Sequence, residues 1–539
     1  MLYFQRIHKF CRGVNRHWIM NFYLLHTGII WSESKHQTRQ NGRDQKYSHF
    51  PLLQLSIYYG SVILNCNHFS MSDGNFTYPC ERVCPLGVDI SAFVEFVKNG
   101  AFDEAFGKIV VDNPFPAVVG RVCSAPCERE CASANNGDPV PIRHLERFVG
   151  DHAYSHGLLL PAPENELDIS VGIVGAGATG LSAAYFLRRM GIQTTIYDSM
   201  PRPGGTMAYL IPSFLLPRDV LFYEIMRLEK IGVRFEDKVS LGKDFSLAEI
   251  RAKHDAVLLA AGCSKTELPK IPGRESAGVM TAADFLRKYH SAALDIKISG
   301  ATESVVVGED RWTIFAARLL RRLGAGVKIV IKNSAQSLPP QVRKVFANER
   351  IEIIDSAAVT TIFSQGGKVV GLRCVKISST EGTFSSVPDS GFEIECDFVC
   401  FSARRQPDYS ILGEAKDLLK FTPSGKLEVD SNFSTNIYGI FAAGEFVFGE
   451  MPVVYSMAQG KAAAISIAQF LDISPPAGMT RLAPFRYRSQ NYALSPAPQE
   501  TILYRQIQSC VGDFGEIALG FDEETAVEQA RRCACTKKE

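Results

Sequence analysis

The chain has 539 residues, 46 % apolar and 21 % charged, with a formal net charge of +1. That is the composition of a soluble globular protein with length for roughly three or four domains, and its near-neutral balance argues for neither nucleic acid nor an acidic membrane surface as partner. No apolar run reaches the roughly 18–20 residues that span a bilayer, so no membrane anchor is expected.

Residues 1–70 show no clear periodicity, are rich in His, Arg, Lys, Tyr and Phe, and contain no acidic residue before Glu33. One reading is a basic, acid-poor targeting segment; the other is an extension without a fold of its own, ahead of a working start at Met71. The shortage of serine and the lack of an amphipathic period favour the extension.

Fourteen cysteines are many, and five fall between Cys80 and Cys131. They read Cys80-Glu-Arg-Val-Cys84-Pro85, then Cys123-Ser-Ala-Pro-Cys127-Glu-Arg-Glu-Cys131. Val88–Asn99 and Phe102–Val111 lie between them, apolar at helical spacing and divided by Gly100. The remaining cysteines are scattered, several through a nucleotide-binding core, so thiolate ligation in a reducing, cytoplasmic setting reads better than a disulfide framework. A spacing of four is neither the short-gap run of simple ferredoxins nor the paired CxxC of a zinc ribbon. Iron–sulfur ligation and a set of buried free thiols are the two readings.

Val171–Val174 reads as a buried parallel strand leading into Gly175-Ala176-Gly177-Ala178-Thr179-Gly180. An apolar helix, Leu181–Met190, stops at Gly191, and a second strand, Gln193–Tyr197, ends in Asp198. This is the dinucleotide-binding fingerprint in its required context. Gly175 permits the tight turn, Gly177 lets the backbone approach a pyrophosphate, and Gly180 lets helix and strand pack closely. The helix N-terminus offers free N–H groups to phosphates, and Asp198 is placed to accept hydrogen bonds from a ribose. Further on, Gly204-Gly205 allow close approach to a cofactor, Ala260-Ala261-Gly262 end a buried strand, and Ala442-Ala443-Gly444-Glu445 follow the strand Ile437–Phe441.

A second strand–turn–helix unit runs from Ser304–Val307 through Gly308-Glu309-Asp310-Arg311-Trp312-Thr313 into the helix Thr313–Leu323. Glu309 and Asp310 put like charge where a pyrophosphate would lie, with Arg311 able to offset part of it. Lys461–Leu471 reads as a helix, Pro475–Gly478 as a linker, and Asp522 as a helix N-cap near the end. No nucleophile or general base stands out; His144 and His254 read as ordinary structural residues.

CERVCPLGVDI, NPFPAVVGRVCSAPCERECA and DPVPIRHLERF resemble the N-terminal iron–sulfur domain of the glutamate synthase small subunit. The same domain opens dihydropyrimidine dehydrogenase and related ferredoxin-coupled NADPH oxidoreductases. VGIVGAGATGLSAAYFLRRMGIQTTIYDSMPRPGG and DAVLLAAG look like the flavin domain of the same family, and the likeness covers about residues 76–472. The resemblance implies FAD held by Gly175, Ala176, Gly177, Thr179, Gly180, Asp198, Gly204, Gly205, Ala261, Gly262, Gly444 and Glu445. It implies a 4Fe-4S cluster on Cys84, Cys123, Cys127 and Glu146. The family's second cluster uses the positions of Cys80 and Cys131 plus two upstream cysteines, and these fall at Ser72 and Asn75. One cluster is therefore expected, with Cys80 or Cys131 able to replace the Glu146 carboxylate. Glu445 stands where the family has Asp against the ribityl chain. Leu210 and Leu215 replace family residues near the flavin ring. Only Gly308 survives of the Gly-rich NADPH turn, and Lys332 alone of the residues that grip its 2′-phosphate, so NADP(H) binding is left open. Gly520–Cys535 resembles the segment leading into an added ferredoxin-like domain in longer relatives, and Cys533-x-Cys535 reads as a leftover or a docking tail.

The expected fold is α/β, with two Rossmann-like dinucleotide-binding domains, the FAD one split by the NAD(P)-type one, behind a helical iron–sulfur domain. The expected divisions are 1–70, 71–165, 166–298, 299–408, 409–473 and a 474–539 tail. The resemblance implies an oxidoreductase passing electrons between NAD(P)H, FAD, a cluster and a partner subunit. The alternative is a relay or scaffold subunit that keeps FAD but takes electrons from a partner instead of NADPH.

Overall fold

A computed structural model of the protein describes residues 78–535, apart from 137, 296, 381–382, 477, 480–502 and 506–508. The expectation for residues 1–70, and the positions of Ser72 and Asn75, lie outside the described residues.

The described chain opens with helices: α1 (Pro79–Val83), α2 (Ile90–Lys98), α3 (Phe102–Val110), α4 (Pro116–Val122), α5 (Pro126–Arg129) and α6 (Ile142–Ser155). Prolines at the starts of α1, α4 and α5 suit positions whose N–H has no helical partner. Asp89 caps α2 by accepting the Ala92 amide at 3.3 Å. Phe93, Val94 and Val97 on α2 and Phe106, Ile109 and Val110 on α3 bury the apolar stripes that their spacing announces.

The first sheet follows. Its strands alternate with helices along the chain: β1 (Ser170–Val174), α7 (Ala178–Arg189), β2 (Gln193–Asp198), α8 (Gly205–Tyr209), α9 (Arg218–Lys230), β3 (Arg234–Asp237), α10 (Leu247–Lys253) and β4 (Ala256–Leu259), with a last strand added later in the chain. Chain order then runs through β5 (Val279–Thr281), α11 (Ala282–His290), β6 (Glu303–Val307), α12 (Arg311–Arg322), β7 (Gly326–Val330), α13 (Pro340–Asn348) and β8 (Glu352–Ile354). Next come β9 (Ala357–Gln365), β10 (Lys368–Thr380), β11 (Thr383–Glu395) and β12 (Phe398–Phe401). The chain closes with β13 (Ile440–Ala442), α14 (Glu445–Phe448), α15 (Val453–Phe470), β14 (Leu503–Tyr504), β15 (Ala518–Gly520) and α16 (Glu523–Arg531).

Two parallel sheets result, ordered β13-β4-β1-β2-β3 and β5-β12-β6-β7-β8. The fold is α/β with Rossmann-like units behind a helical segment. β13 pairs with β4, so the first sheet is completed by chain that returns after the second. The antiparallel sheet β11-β10-β9 was not foreseen; its outer face is largely polar and exposed, without the buried apolar run that marks the parallel strands. α15 begins at Val453, eight residues before the start expected from the sequence. It is buried on nearly every side against α7, so no polar face marks its beginning.

Buried charges join the helical segment to the first sheet. Glu224 on α9 accepts the Ala117 and Val118 amides at the start of α4, at 3.0 and 2.9 Å, and pairs with Arg227 at 2.7 Å. Lys461 on α15 donates to Asp112 at 2.6 Å and to the Leu86 carbonyl at 2.9 Å, with no exposure of its own.

Candidate functional site

A deep cleft opens at the carboxyl ends of β1, β4 and β13, where the fold places ligands in open parallel sheets. Gly175, Gly177, Thr179, Asp198 and Gly205 line one wall, and Ala261, Gly262 and Glu445 line the other. Gly177 has φ −83°, which any residue tolerates, and a Cβ there would meet nothing within 4 Å. The space it leaves is the cleft itself. At Gly180 the reason is packing, since a Cβ would stand 1.9 Å from the Gly175 carbonyl oxygen. Asp198 accepts the Ala176 amide at 2.6 Å and the Met200 amide at 2.7 Å, which pins the loop. Gly204 donates to the Ala176 carbonyl at 2.8 Å, and the Gly444 amide is held by Gln459 at 2.6 Å. Met200, Tyr209, Met451 and Val453 make the walls substantially apolar. A glycine cradle, a braced acid and apolar walls together fit FAD.

Arg405, which sequence reasoning did not single out, reaches into this cleft and is only 4 % exposed. It pairs with Glu445 at 2.9 Å and donates to the Cys263 carbonyl at 3.1 Å and to Thr206 at 3.3 Å. The same Glu445 oxygen accepts the Met451 amide at 3.2 Å. One oxygen of Glu445 is thus committed to the protein, while the other is 3.8 Å from where a Gly262 Cβ would stand. The available signal was position: Arg404-Arg405 follow the carboxyl end of the buried strand β12.

The second unit is built differently at its turn. Asp310 accepts the Trp312 and Thr313 amides of α12 at 2.8 and 3.0 Å, and Ser402 donates to its other oxygen. Asn333 donates to Glu309. Trp312 is 5 % exposed, donates its indole N–H to Glu450, and lies under the Arg405 guanidinium, 4.9 Å from ring centroid to Cζ. Arg311 sits over the same indole at 5.7 Å, and Lys332 is exposed. The helix amides that would receive a pyrophosphate are occupied by the chain's own carboxylate. These residues do not fit a dinucleotide phosphate.

Cys84, Cys123, Cys127 and Glu146 line a small enclosed cavity with Leu86, Val88, Phe93 and Val454. The Leu86 and Val88 amides point at the Cys84 sulfur, and the Ala125 amide lies 3.3 Å from that of Cys123. Asn113 donates to Glu146 at 2.8 Å. Burial pushes the Cys84 thiol up to about 11, Cys123 to about 12 and the Glu146 carboxyl to about 7. Bound iron would offset that penalty by favouring the ionised ligands. Among the described residues no three ligand side chains converge closely enough for one metal ion. An iron–sulfur core, which holds its thiolates further apart, fits the cavity, and the N–H groups aimed at sulfur are the contacts that tune its potential. Cys80 and Cys131 do not line it.

Residues 169–460 match the pyridine nucleotide-disulphide oxidoreductase family. The chain belongs to that family. Residues 75–158 match a second family, dihydropyrimidine dehydrogenase domain II, 4Fe-4S cluster. The protein is therefore an oxidoreductase that joins an iron–sulfur domain to a pyridine nucleotide-disulphide oxidoreductase domain. Among similar curated proteins is the NADP(+)-dependent formate dehydrogenase subunit beta of Moorella thermoacetica, 29 % identical over 85 % of this chain and 70 % of the relative. The glutamate synthase (NADPH) small chain of Mycobacterium tuberculosis is 31 % identical over 73 % of this chain and 85 % of the relative. The NADPH-Fe(3+) oxidoreductase subunit beta of Geobacter sulfurreducens is 29 % identical over 85 % of this chain and 75 % of the relative. The family match includes the Gly308–Thr313 turn, so the chain keeps the family's second unit while filling its phosphate position from within.

Proposed function

We propose that this oxidoreductase holds FAD in the Gly175–Glu445 cleft and a 4Fe-4S cluster on Cys84, Cys123, Cys127 and Glu146, and exchanges electrons with a partner protein. One observation carries the reading. Val453 lines the flavin cleft and its neighbour Val454 lines the cysteine cavity, so the first turn of α15 separates the two sites by about one side chain. When bound, FAD exchanges two electrons with a hydride donor and single electrons with a cluster. The chain's own part is positional. Asp198 and the glycine loop orient the dinucleotide, Arg405 puts a buried positive charge at the cleft wall, and Met451 and Val453 exclude water. The relatives named above are chains or subunits of larger enzymes, which supports a partner subunit as the other end of the path. No described helix is long and apolar enough to cross a membrane.

A second reading is favoured by Asp310, whose carboxylate sits on the Trp312 and Thr313 amides. In it the chain is a relay that takes electrons from a partner and not from NADPH. An anaerobic titration with NADPH, then NADH, followed by flavin absorbance, separates the two. Stoichiometric bleaching by either nucleotide supports the enzyme with its own nucleotide site. Flavin that dithionite bleaches and neither nucleotide touches supports the relay.

A further inference from the structure

The C-terminal Cys533-Ala534-Cys535 does not trail free of the fold. α16 packs against α2 and α6, and Phe521 ahead of it meets the His144 ring edge-on with centroids 5.8 Å apart. Beyond α16, Ser133 donates to the Arg532 carbonyl at 3.0 Å and accepts the Ala534 amide at 3.1 Å. Arg532 also donates to the Asp138 carbonyl at 2.8 Å. The tail is thereby fastened on both sides of Cys533 by Ser133, which is two residues along the chain from Cys131. Cys533 packs against the same core that buries Cys80 and Cys131.

We propose that Cys80, Cys131, Cys533 and Cys535 form a second iron–sulfur site, with the C-terminal pair standing in for the upstream cysteines replaced by Ser72 and Asn75. The proposal rests on the reading of the helical segment as cluster-bearing. The four thiols share one neighbourhood: α1, which carries Cys80, packs against α5, which Cys131 follows, and Ser133 just beyond Cys131 holds the chain on either side of Cys533, next to Cys535. No three of these groups close around a point as a zinc ion requires, whereas a cluster tolerates the wider set.

The arrangement also repeats that of the first cavity. α1 supplies Cys80 from its length and Cys84 from its carboxyl end, while α5 supplies Cys127 and is followed by Cys131. Each of these two short helices thus brings one thiol to each site, from cysteines four residues apart in the chain. In the second site Cys533 and Cys535 are half-buried and Ala534 is exposed. Electrons would leave towards a partner from there.

The test measures iron, acid-labile sulfide, zinc and flavin in anaerobically purified wild type, in Cys84→Ser, and in the double variant Cys533→Ser, Cys535→Ser. The expected result is about eight irons per chain in wild type and about four in each variant, without zinc and with flavin retained. A double variant that keeps the full iron complement overturns the proposal, as does zinc at the second site. A wild type with about four irons, all lost in Cys84→Ser, overturns the second site and leaves the first standing. Absence of iron throughout overturns both. A footprint of wild type covers the case of a variant that does not fold. Cys80, Cys131, Cys533 and Cys535 should resist alkylation together and react together after iron chelation. Protection of Cys80 and Cys131 with Cys533 and Cys535 reactive overturns the proposal.

Discussion

Gly177 separates two demands that glycine usually answers together. Its backbone needs no glycine, and its missing Cβ faces the cleft. Gly177→Val should therefore fold as well as wild type, within about 0.5 kcal/mol when the flavin-free proteins are compared, and yet purify with less than about a tenth of the flavin because the pyrophosphate is denied its approach. Flavin absorbance per chain and urea denaturation read the two effects separately. Asp310→Ala should cost about 1 kcal/mol as a lost N-cap, measured in the same denaturation. His290 gives a pH dependence. Its Nδ1 donates to the Tyr209 and Leu286 carbonyls at 3.0 and 2.9 Å, and burial, with Arg218 nearby, lowers its pKa from 6.5 to about 4. The folded state holds it neutral, so the unfolded chain takes up the proton first. Stability present above pH 6.5 is lost as pH falls towards 4, with a slope approaching about 1.4 kcal/mol per pH unit from this group. His290→Gln should flatten that part of the profile. At this scale the glycines, Asp198 and the cavity cysteines were legible because their spacing is tied to local geometry. Arg405 was not, because a charged residue in a loop does not announce which cleft it enters.

Among the elements, α15 bears most directly on function. It packs along α7, starts between the two candidate cofactor sites and carries Lys461, whose ammonium is wholly buried against Asp112 and the Leu86 carbonyl. Removing one partner of such a pair leaves a buried charge alone, so Lys461→Ala should destabilise by about 3–5 kcal/mol. Lys461→Met with Asp112→Leu should recover much of that loss, because apolar replacement of both partners removes the uncompensated charge. Denaturation midpoints of the three proteins check this. Alternating runs of apolar strand and amphipathic helix made both parallel sheets readable. The early start of α15 was not readable, since an all-apolar helix has no polar face to mark its first turn. The second unit shows the converse: its strands and helix persist although its turn has exchanged glycines for Glu309, Asp310 and Trp312, because the fold depends on the apolar pattern and ligand binding on the turn.

Across the whole molecule, the helical segment and the flavin cleft act as one device because buried side chains, Glu224 and Lys461, cross between them. The meeting of Cys533 and Cys535 with Cys80 and Cys131 spans more than 400 residues of chain. No local pattern encodes such a separation, which is why Cys533-x-Cys535 read as a leftover on its own. It is the tertiary route of α16, fastened through Ser133, that gives it neighbours. The most direct measurement is an anaerobic dithionite titration of the purified protein, read together by flavin absorbance and low-temperature electron paramagnetic resonance. The expected result is about one flavin bleached per chain alongside the signal of a reduced 4Fe-4S cluster. Protein with full iron occupancy and no flavin, or with flavin and no cluster signal, would contradict an electron path from the Gly177 cleft to the Cys84 cavity.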